Sequence, residues 1–274
     1  MENPFVLYQH LLEVLKPRYD SHEARAIALW VLEDVFSLSQ TDVFIGKSKP
    51  FSADDARKFD QIQHHLSTGE PVQYVLGHTT FMGFRLSVRP GVLIPRPETE
   101  DLVKWIVSEN RDTSALRIVD CGTGSGCIAI ALKLLLPQVV VEAWDISSQA
   151  LEVATENARS LGADVVFRQM DMALLPREAH RFDLCVSNPP YVLESEQADM
   201  EAHVLRHEPS VALFVPDDDA LRFYRPLAQS GLTIYAECNS AKTDAVRQLF
   251  QQEGYSSLYL RNDRFGLPRM IKAQ

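Results

Sequence analysis

The stretch Ile118-Val119-Asp120-Cys121-Gly122-Thr123-Gly124-Ser125-Gly126-Cys127 decides how this chain folds. Ile118-Val119-Asp120 is a short apolar run with β-branched residues, the pattern of a buried strand. Three glycines at alternate positions follow, and then a helical pattern from Cys127 to Leu136 that Pro137 stops. Glycine lets a backbone turn sharply and pass close to a ligand with no Cβ in the way. The helix behind it offers unpaired amides and the positive end of its dipole to that ligand. The spacing is Gly-x-Gly-x-Gly and no Gly-Lys-Ser or Gly-Lys-Thr follows, which excludes a P-loop. Dinucleotides also fit such a loop, so by itself it specifies little.

Outward from the loop, strand, turn and helix repeat. Val139 to Asp145 reads as a second strand, ending in a carboxylate about 20 residues beyond the glycines, where it can accept the ribose hydroxyls of a nucleoside. Ser147 caps a helix running through Leu161, which Gly162 closes. A third strand from Val165 to Arg168 leads to Asp171-Met172. There a carboxylate can hold an adenine amino group with the methionine against the ring, or simply make a turn. The next strand belongs to Phe182-Asp183-Leu184-Cys185-Val186-Ser187-Asn188-Pro189-Pro190-Tyr191. The Gly loop, Asp145, Asp171 and Asn188 thus fall at the C-terminal ends of successive strands, the edge at which open α/β sheets bind ligands.

Asn188-Pro189-Pro190-Tyr191 carries the most chemistry. Consecutive prolines remove backbone donors and hold the chain extended. An asparagine amide oxygen and a proline carbonyl can together accept two hydrogen bonds from one planar –NH₂ group, with Tyr191 covering its face. The corner suits an exocyclic amine or a carboxamide. Taken alone it is also an ordinary strand-ending turn.

The chain has 274 residues, 46% hydrophobic and 23% charged, enough for an α/β domain and a smaller companion. Its longest apolar run, Ile128 to Leu136, is broken by Lys133 and is too short for a membrane span. The N-terminus lacks a basic segment followed by a cleavable apolar one, so a cytoplasmic protein is expected. Cys121, Cys127, Cys185 and Cys238 form no CxxC pair and are expected as small buried residues, with no metal site. Net charge is −10, which favours a protein or small-molecule partner over nucleic acid, and a monomer is expected.

Residues 1–70 read as a helical bundle. Phe5, Tyr8, Leu12 and Leu15 recur at helical spacing up to Pro17; a second helix is expected behind Ser21 as N-cap, and a third behind Ser52 with Asp55 three residues on. His64 and His65 are expected at the surface. Residues 71–96 form a linker, extended from Val75 to Ile94, with a hairpin turn at Phe81-Met82-Gly83-Phe84. Arg96-Pro97-Glu98-Thr99-Glu100 then starts a helix from Asp101 to Glu109, with Thr99 or the acidic pair as its start, and offers one wall of a pocket. Residues 97–274 form the α/β domain.

With glycine loop, Asp145 and Asn188-Pro189-Pro190-Tyr191 in that order, the chain is similar to class I methyltransferases that use S-adenosylmethionine. More closely, it resembles the family of glutamine methyltransferases that modify peptide chain release factors. Gly69-Glu70-Pro71-Val72-Gln73-Tyr74, the Phe81–Phe84 turn, Leu93 to Glu100, Glu208 to Phe214 and Asn262 to Arg269 also fit that family, so the resemblance covers about the whole chain. It implies a Rossmann-like class I methyltransferase sheet behind a small helical bundle and a β-hairpin linker. It also implies methyl transfer to the glutamine amide nitrogen of the release factor's Gly-Gly-Gln motif. Gly122, Thr123, Gly124, Ser125, Gly126, Asp145, Asp171, Met172 and Asn188 would hold the cofactor; Asn188, Pro189, Pro190 and Tyr191 would form the catalytic amide slot, with Arg96 and Glu98 beside the substrate. The helical bundle would engage the factor outside its Gly-Gly-Gln loop. Three features depart from the family pattern: Met172, where an aromatic residue is common; Glu237-Cys238-Asn239, where glycine or histidine commonly follows the glutamate; and the acidic loop Val215 to Asp219.

Rival readings are a DNA adenine N6-methyltransferase, which presents a similar Asn-Pro-Pro-Tyr to a flipped base, a glutamine methyltransferase for another translation protein, and a cofactor-binding scaffold without catalysis. The acidic charge and the lack of a basic recognition domain weigh against DNA; an intact amide slot weighs against a scaffold.

Overall fold

The computed structural model describes residues 3–47, 50–113 and 115–274, and side chains within them except those of Asp199 and Ala202. Two compact units emerge: the described residues up to Gly77 together with Glu201–His207, and His78–Met200 with Glu208–Gln274.

The first unit is helical. Helices α1 (Pro4–Leu15), α2 (Ser21–Phe36), α3 (Gln40–Phe44), α4 (Ala53–Thr68) and α5 (Val72–Leu76) precede the second unit, and α10 (Ala202–His207) is contributed from later in the chain. Leu7, Leu11, Leu15, Val31, Leu32, Phe59 and Leu66 are buried together as its core. The expected Ser52–Asp55 pairing is a full capping box, whereas the N-cap of α2 is Asp20, not Ser21; its carboxylate takes the His22 and Glu23 N–H groups. His64 and His65 are exposed, as expected. Two further short helices lie where none was assigned: α3, behind a Ser39–Asp42 capping box, and α5, whose end overlaps the start of the stretch expected as extended and which Gly77 ends at φ 77°.

The second unit opens with a hairpin of β1 (His78–Phe81) and β2 (Phe84–Ser87). Its two-residue turn has Met82 at φ 51° and Gly83 at φ 81°, the double left-handed conformation that matches strand twist. Helix α6 runs Pro97–Asn110, with Pro97 in its first turn and Arg96 as an N-cap that makes no side-chain capping bond. Thr99 lies inside this helix instead of capping it.

Strands β3 (Arg117–Cys121), β4 (Val140–Asp145), β5 (Val165–Gln169), β6 (Leu184–Ser187), β9 (Thr233–Glu237), β10 (Leu258–Asn262) and β11 (Pro268–Ala273) form one sheet in the order β10-β11-β9-β6-β3-β4-β5. β5 through β9 are parallel along that order, and β11 pairs antiparallel with β9 and β10. Crossovers are made by α7 (Cys127–Leu135), α8 (Ser148–Leu161), the short α9 (Leu175–Glu178), and α11 (Tyr224–Ala228); α12 (Thr243–Gln252) follows β9. Two-residue strands β7 (Val192–Leu193) and β8 (Phe214–Val215) pair parallel in the insertion after β6. β6 is buried at every position, and one face of the sheet packs on Ile106, Ile130 and Leu132, the other on Leu175, Tyr224 and Phe250. From β3 the chain moves to β4 on one side, and later returns through β6 on the other. The crevice opened by this reversal lies between the loops after β3 and β6. Those loops are Gly122–Gly126 and Asn188–Tyr191.

Cys121, Cys185 and Cys238 are buried and Cys127 is half-buried. Among the described residues no cluster of His, Cys, Asp or Glu is placed to hold a metal ion, and no helix is long and apolar enough to cross a membrane.

Candidate active site

A cavity of about 430 Å³ opens at the C-terminal edge of the sheet, inside the range of roughly 300–1,000 Å³ usual for small-molecule sites. Its floor is the glycine loop. The Gly122 and Thr123 N–H groups both donate to the Trp144 carbonyl at 2.9 Å, which folds the loop back over the end of β4. Gly122 (φ 76°) and Gly124 (φ 55°) are left-handed, and a Cβ on either would meet nothing within 4 Å, so their backbone faces open space. Asn157 of α8 braces the loop from below: its Nδ2 donates to the Ser125 carbonyl at 2.9 Å and to the Ser87 carbonyl at 3.0 Å, while its Oδ1 accepts from Ser87 N–H.

Asp145 closes one side. Its Oδ2 accepts the Gly124 N–H and its Oδ1 the Ser147 N–H, both at 2.9 Å, and burial raises its carboxyl above the usual range. Each oxygen keeps a further lone pair for a ligand hydroxyl. Asp171 Oδ1 takes the Ala173 N–H at 2.8 Å and caps a short turn, so the turn-forming role is real; Asp171 and the buried Met172 also lie on the cavity wall. Ser125 is 2% exposed and lines the cavity, and its hydroxyl has no hydrogen-bond partner among the described residues. An open glycine cradle, a strand-end carboxylate and an unpartnered buried hydroxyl are a donor and acceptor set that fits an adenosyl cofactor.

Asn188 and Pro190 lie on the same wall. Asn188 Nδ2 donates to Thr99 Oγ1 at 3.1 Å, and the Thr99 hydroxyl donates to Glu237 Oε2 at 2.8 Å. The other oxygen of Glu237 accepts the Tyr191 hydroxyl at 2.8 Å. Glu237 is 1% exposed; burial raises its carboxyl, against the hydrogen bonds from Thr99 and Tyr191. Burial, and then the neighbouring Glu237, push the Tyr191 phenol well above its ordinary range.

The structure thus brings Gly122, Thr123, Gly124, Ser125, Asp145, Asp171, Met172, Asn188, Pro190 and Arg96 to one cavity. Gly126, Glu98, Pro189 and Tyr191 are not on its wall. Gly126 packs under the loop, where a Cβ would stand 2.9 Å from Ile130 Cδ1 and 3.1 Å from Ala154 Cβ. Tyr191 turns its hydroxyl to Glu237 instead of covering the cavity. Arg96 reaches the wall but its guanidinium is bound to Glu208 Oε1 at 2.6 Å; the other oxygen of this buried carboxylate takes the Ile94 N–H at 3.2 Å. Sequence reasoning assigned no role to Glu208, Glu237 or Asn157, and treated Thr99 only as a helix start. Their partners lie far away along the chain, 138 residues in the case of Thr99 and Glu237.

Comparison with known proteins bears on this geometry. Residues 99–213 match the family described as Methyltransferase small domain, and residues 7–77 match the PrmC N-terminal domain. A release factor glutamine methyltransferase of Bacteroides thetaiotaomicron is 40% identical over 272 residues, covering 96% of this chain and 97% of the relative. One of Flavobacterium psychrophilum is 35% identical, covering 95% of each. Among solved structures, the hMettl16 catalytic domain superposes with a TM-score of 0.52 at 15% identity, covering 83% of this chain and 84% of that one, a likeness of fold. The expected Rossmann-like class I sheet behind a helical N-terminal region is the fold observed. This chain belongs to the release factor glutamine methyltransferase family and is an S-adenosylmethionine-dependent methyltransferase.

Proposed function

We propose that the chain methylates the side-chain amide nitrogen of the glutamine in the Gly-Gly-Gln motif of a bacterial peptide chain release factor. The observation that carries this reading is the placement of Asn188 on the wall of the cavity that the glycine loop and Asp145 also line, with its amide already tied to Thr99. Relatives named release factor glutamine methyltransferase match this chain nearly end to end.

S-adenosylmethionine supplies an electrophilic sulfonium methyl group when bound; Gly122, Thr123, Gly124, Ser125, Asp145, Asp171 and Met172 are the residues that would hold it. The protein's own task is set by the nucleophile. A carboxamide nitrogen is weak because its lone pair is delocalised into the carbonyl, so it needs orientation more than a strong base. Asn188 Oδ1, on the cavity wall, accepts one N–H group, and the carbonyl of Pro189, which stands next to Asn188 just outside that wall, accepts the other; together they fix the plane of the amide and stabilise positive charge growing on nitrogen. Orientation of this kind supplies several of the roughly 7–11 kcal/mol available from proximity. The nitrogen gains a methyl group and gives up one proton, which leaves to water. The helical unit engages the factor outside its Gly-Gly-Gln loop, and such a substrate places the reaction in the cytoplasm.

The test is incubation with radiolabelled S-adenosylmethionine and a purified bacterial release factor, its Gln-to-Asn variant at the Gly-Gly-Gln motif, or duplex DNA. Label on the unaltered factor alone is expected. Label on DNA would overturn the reading, and cofactor binding with no label on any of them would reopen the substrate.

A further inference from the structure

An asparagine amide has nearly the same shape in two orientations that exchange its oxygen and its –NH₂. The difference is decisive for a substrate that aims an N–H at Asn188, because only the amide oxygen can receive it. We infer that Glu237 and Thr99 form a hydrogen-bond relay that sets the polarity of Asn188, holding its Nδ2 inward and so presenting Oδ1 to the substrate amide. This rests on the assignment of Asn188 to the target amide.

The relay is read from the carboxylate outward. Both oxygens of Glu237 are engaged as acceptors, Oε2 by the Thr99 hydroxyl and Oε1 by the Tyr191 hydroxyl, with Arg269 nearby as counter-charge, so neither has a proton to give to Thr99. The Thr99 hydroxyl has one proton, and at 2.8 Å from Glu237 Oε2 that proton is committed to the carboxylate. Thr99 Oγ1 then has only lone pairs to offer its other neighbour, which must be a donor. Asn188 meets that demand with Nδ2 at 3.1 Å. Thr99 is 2% exposed and Glu237 1%, so no bulk water stands ready to replace either link. The second carboxylate oxygen receives the Tyr191 hydroxyl at 2.8 Å, and the Tyr224 hydroxyl donates to the Glu237 carbonyl at 2.9 Å. One side chain at the end of β9 therefore pins Asn188 through Thr99 and Tyr191 directly, the first and last residues of Asn-Pro-Pro-Tyr. Thr99 and Glu237 are positioning residues, since they act on the substrate through Asn188.

A relay of polarity has a signature that general support of the loop lacks. With its amide reversed, Asn188 would present a donor, and a peptide with glutamate in place of the target glutamine would then be tolerated. The variants are Thr99→Val, which keeps the shape and removes the hydroxyl, Thr99→Ser, which keeps the hydroxyl, Glu237→Gln, which can face Thr99 with either its oxygen or its –NH₂, and Asn188→Ala. Each is measured for S-adenosylhomocysteine affinity, for methyl transfer to a Gly-Gly-Gln peptide, and for the ratio of affinities for glutamine and glutamate peptides. Thr99→Val should keep cofactor affinity, lose about tenfold or more in kcat, and compress the glutamine-to-glutamate ratio by about tenfold. Thr99→Ser should restore both, and Glu237→Gln should fall between. A slower Thr99→Val enzyme with the wild-type ratio would overturn the relay, as would a Thr99→Val enzyme indistinguishable from wild type beside an inactive Asn188→Ala. Full turnover by Asn188→Ala would instead remove the assignment of Asn188 on which the relay rests.

Discussion

Asp120, in β3 just before the glycine loop, has no exposed surface; its Oδ2 holds the Thr123 hydroxyl at 2.6 Å and the Ala129 N–H at 3.2 Å, and its Oδ1 has no partner among the described residues. Burial lifts its carboxyl to about 7. In the unfolded chain the same group titrates near 4. Between those values the folded protein holds a proton that the unfolded chain has released, so this group makes stability fall as pH rises from about 4 to about 7, and flattens above. Asp120→Asn removes the proton exchange. Urea midpoints of both proteins across that range should show the wild type losing ground to the variant as pH rises, and a difference that does not change with pH would mean that Asp120 is ionised throughout. Residues of this kind were poorly legible beforehand. Asp145 and Asn188 announce themselves because a polar side chain ending an apolar strand has few structural reasons to be there. Asp120 stands within a strand, and the significance of Thr99 and Glu237 exists only once α6 and β9 are packed side by side.

Among the elements, the turn after β3 separates two uses of glycine that look alike in sequence. Gly126 has φ 82° and no room for a methyl group, with Ile130 Cδ1 at 2.9 Å and the Ala154 backbone at 3.3 Å from the position of a Cβ. Gly124 has φ 55° and open space in front of it. Both alanine variants carry the cost of a left-handed residue, about 1 kcal/mol. Gly126→Ala adds crowding of about 1–3 kcal/mol and should lower Tm more than Gly124→Ala does. Gly124→Ala should instead weaken cofactor affinity more than it weakens the fold; equal effects on Tm and on cofactor Kd in the two variants would contradict this division. The alternation of strand, turn and helix from β3 through β6 was readable because apolar periodicity, Ser147 and Gly162 all agreed on the same boundaries. α3 and α5 were missed because helices of five residues are too short for a 3.6-residue period to show. The start of α6 was misplaced because Thr99 is a good capping residue by type, yet Pro97 in the first turn fixes the boundary earlier. Strands β9, β10 and β11 were not assigned in advance, although Thr233-Ile234-Tyr235 carries the β-branched and aromatic signal that would have found the first of them.

For the whole molecule, two cores raise the question of what cofactor binding stabilises. The helical unit buries Leu11, Leu15, Val31 and Leu32 around itself, while every residue lining the cavity belongs to the α/β unit. A ligand that binds only folded protein adds about 2.7 kcal/mol at a hundredfold excess over its Kd, which slows exchange through global opening about a hundredfold. The free energy reaches only those amides whose opening destroys the site. Amides of β3, β4 and β6 meet that condition, because their ends carry the glycine loop, Asp145 and Asn188. Those of α1 and α2 line no part of the cavity. Hydrogen exchange at saturating S-adenosylhomocysteine should therefore slow strongly in the three strands and remain near its ligand-free rate in the two helices. Equal slowing in both sets would show that the cores unfold as one, and the helical unit would then be coupled to cofactor binding.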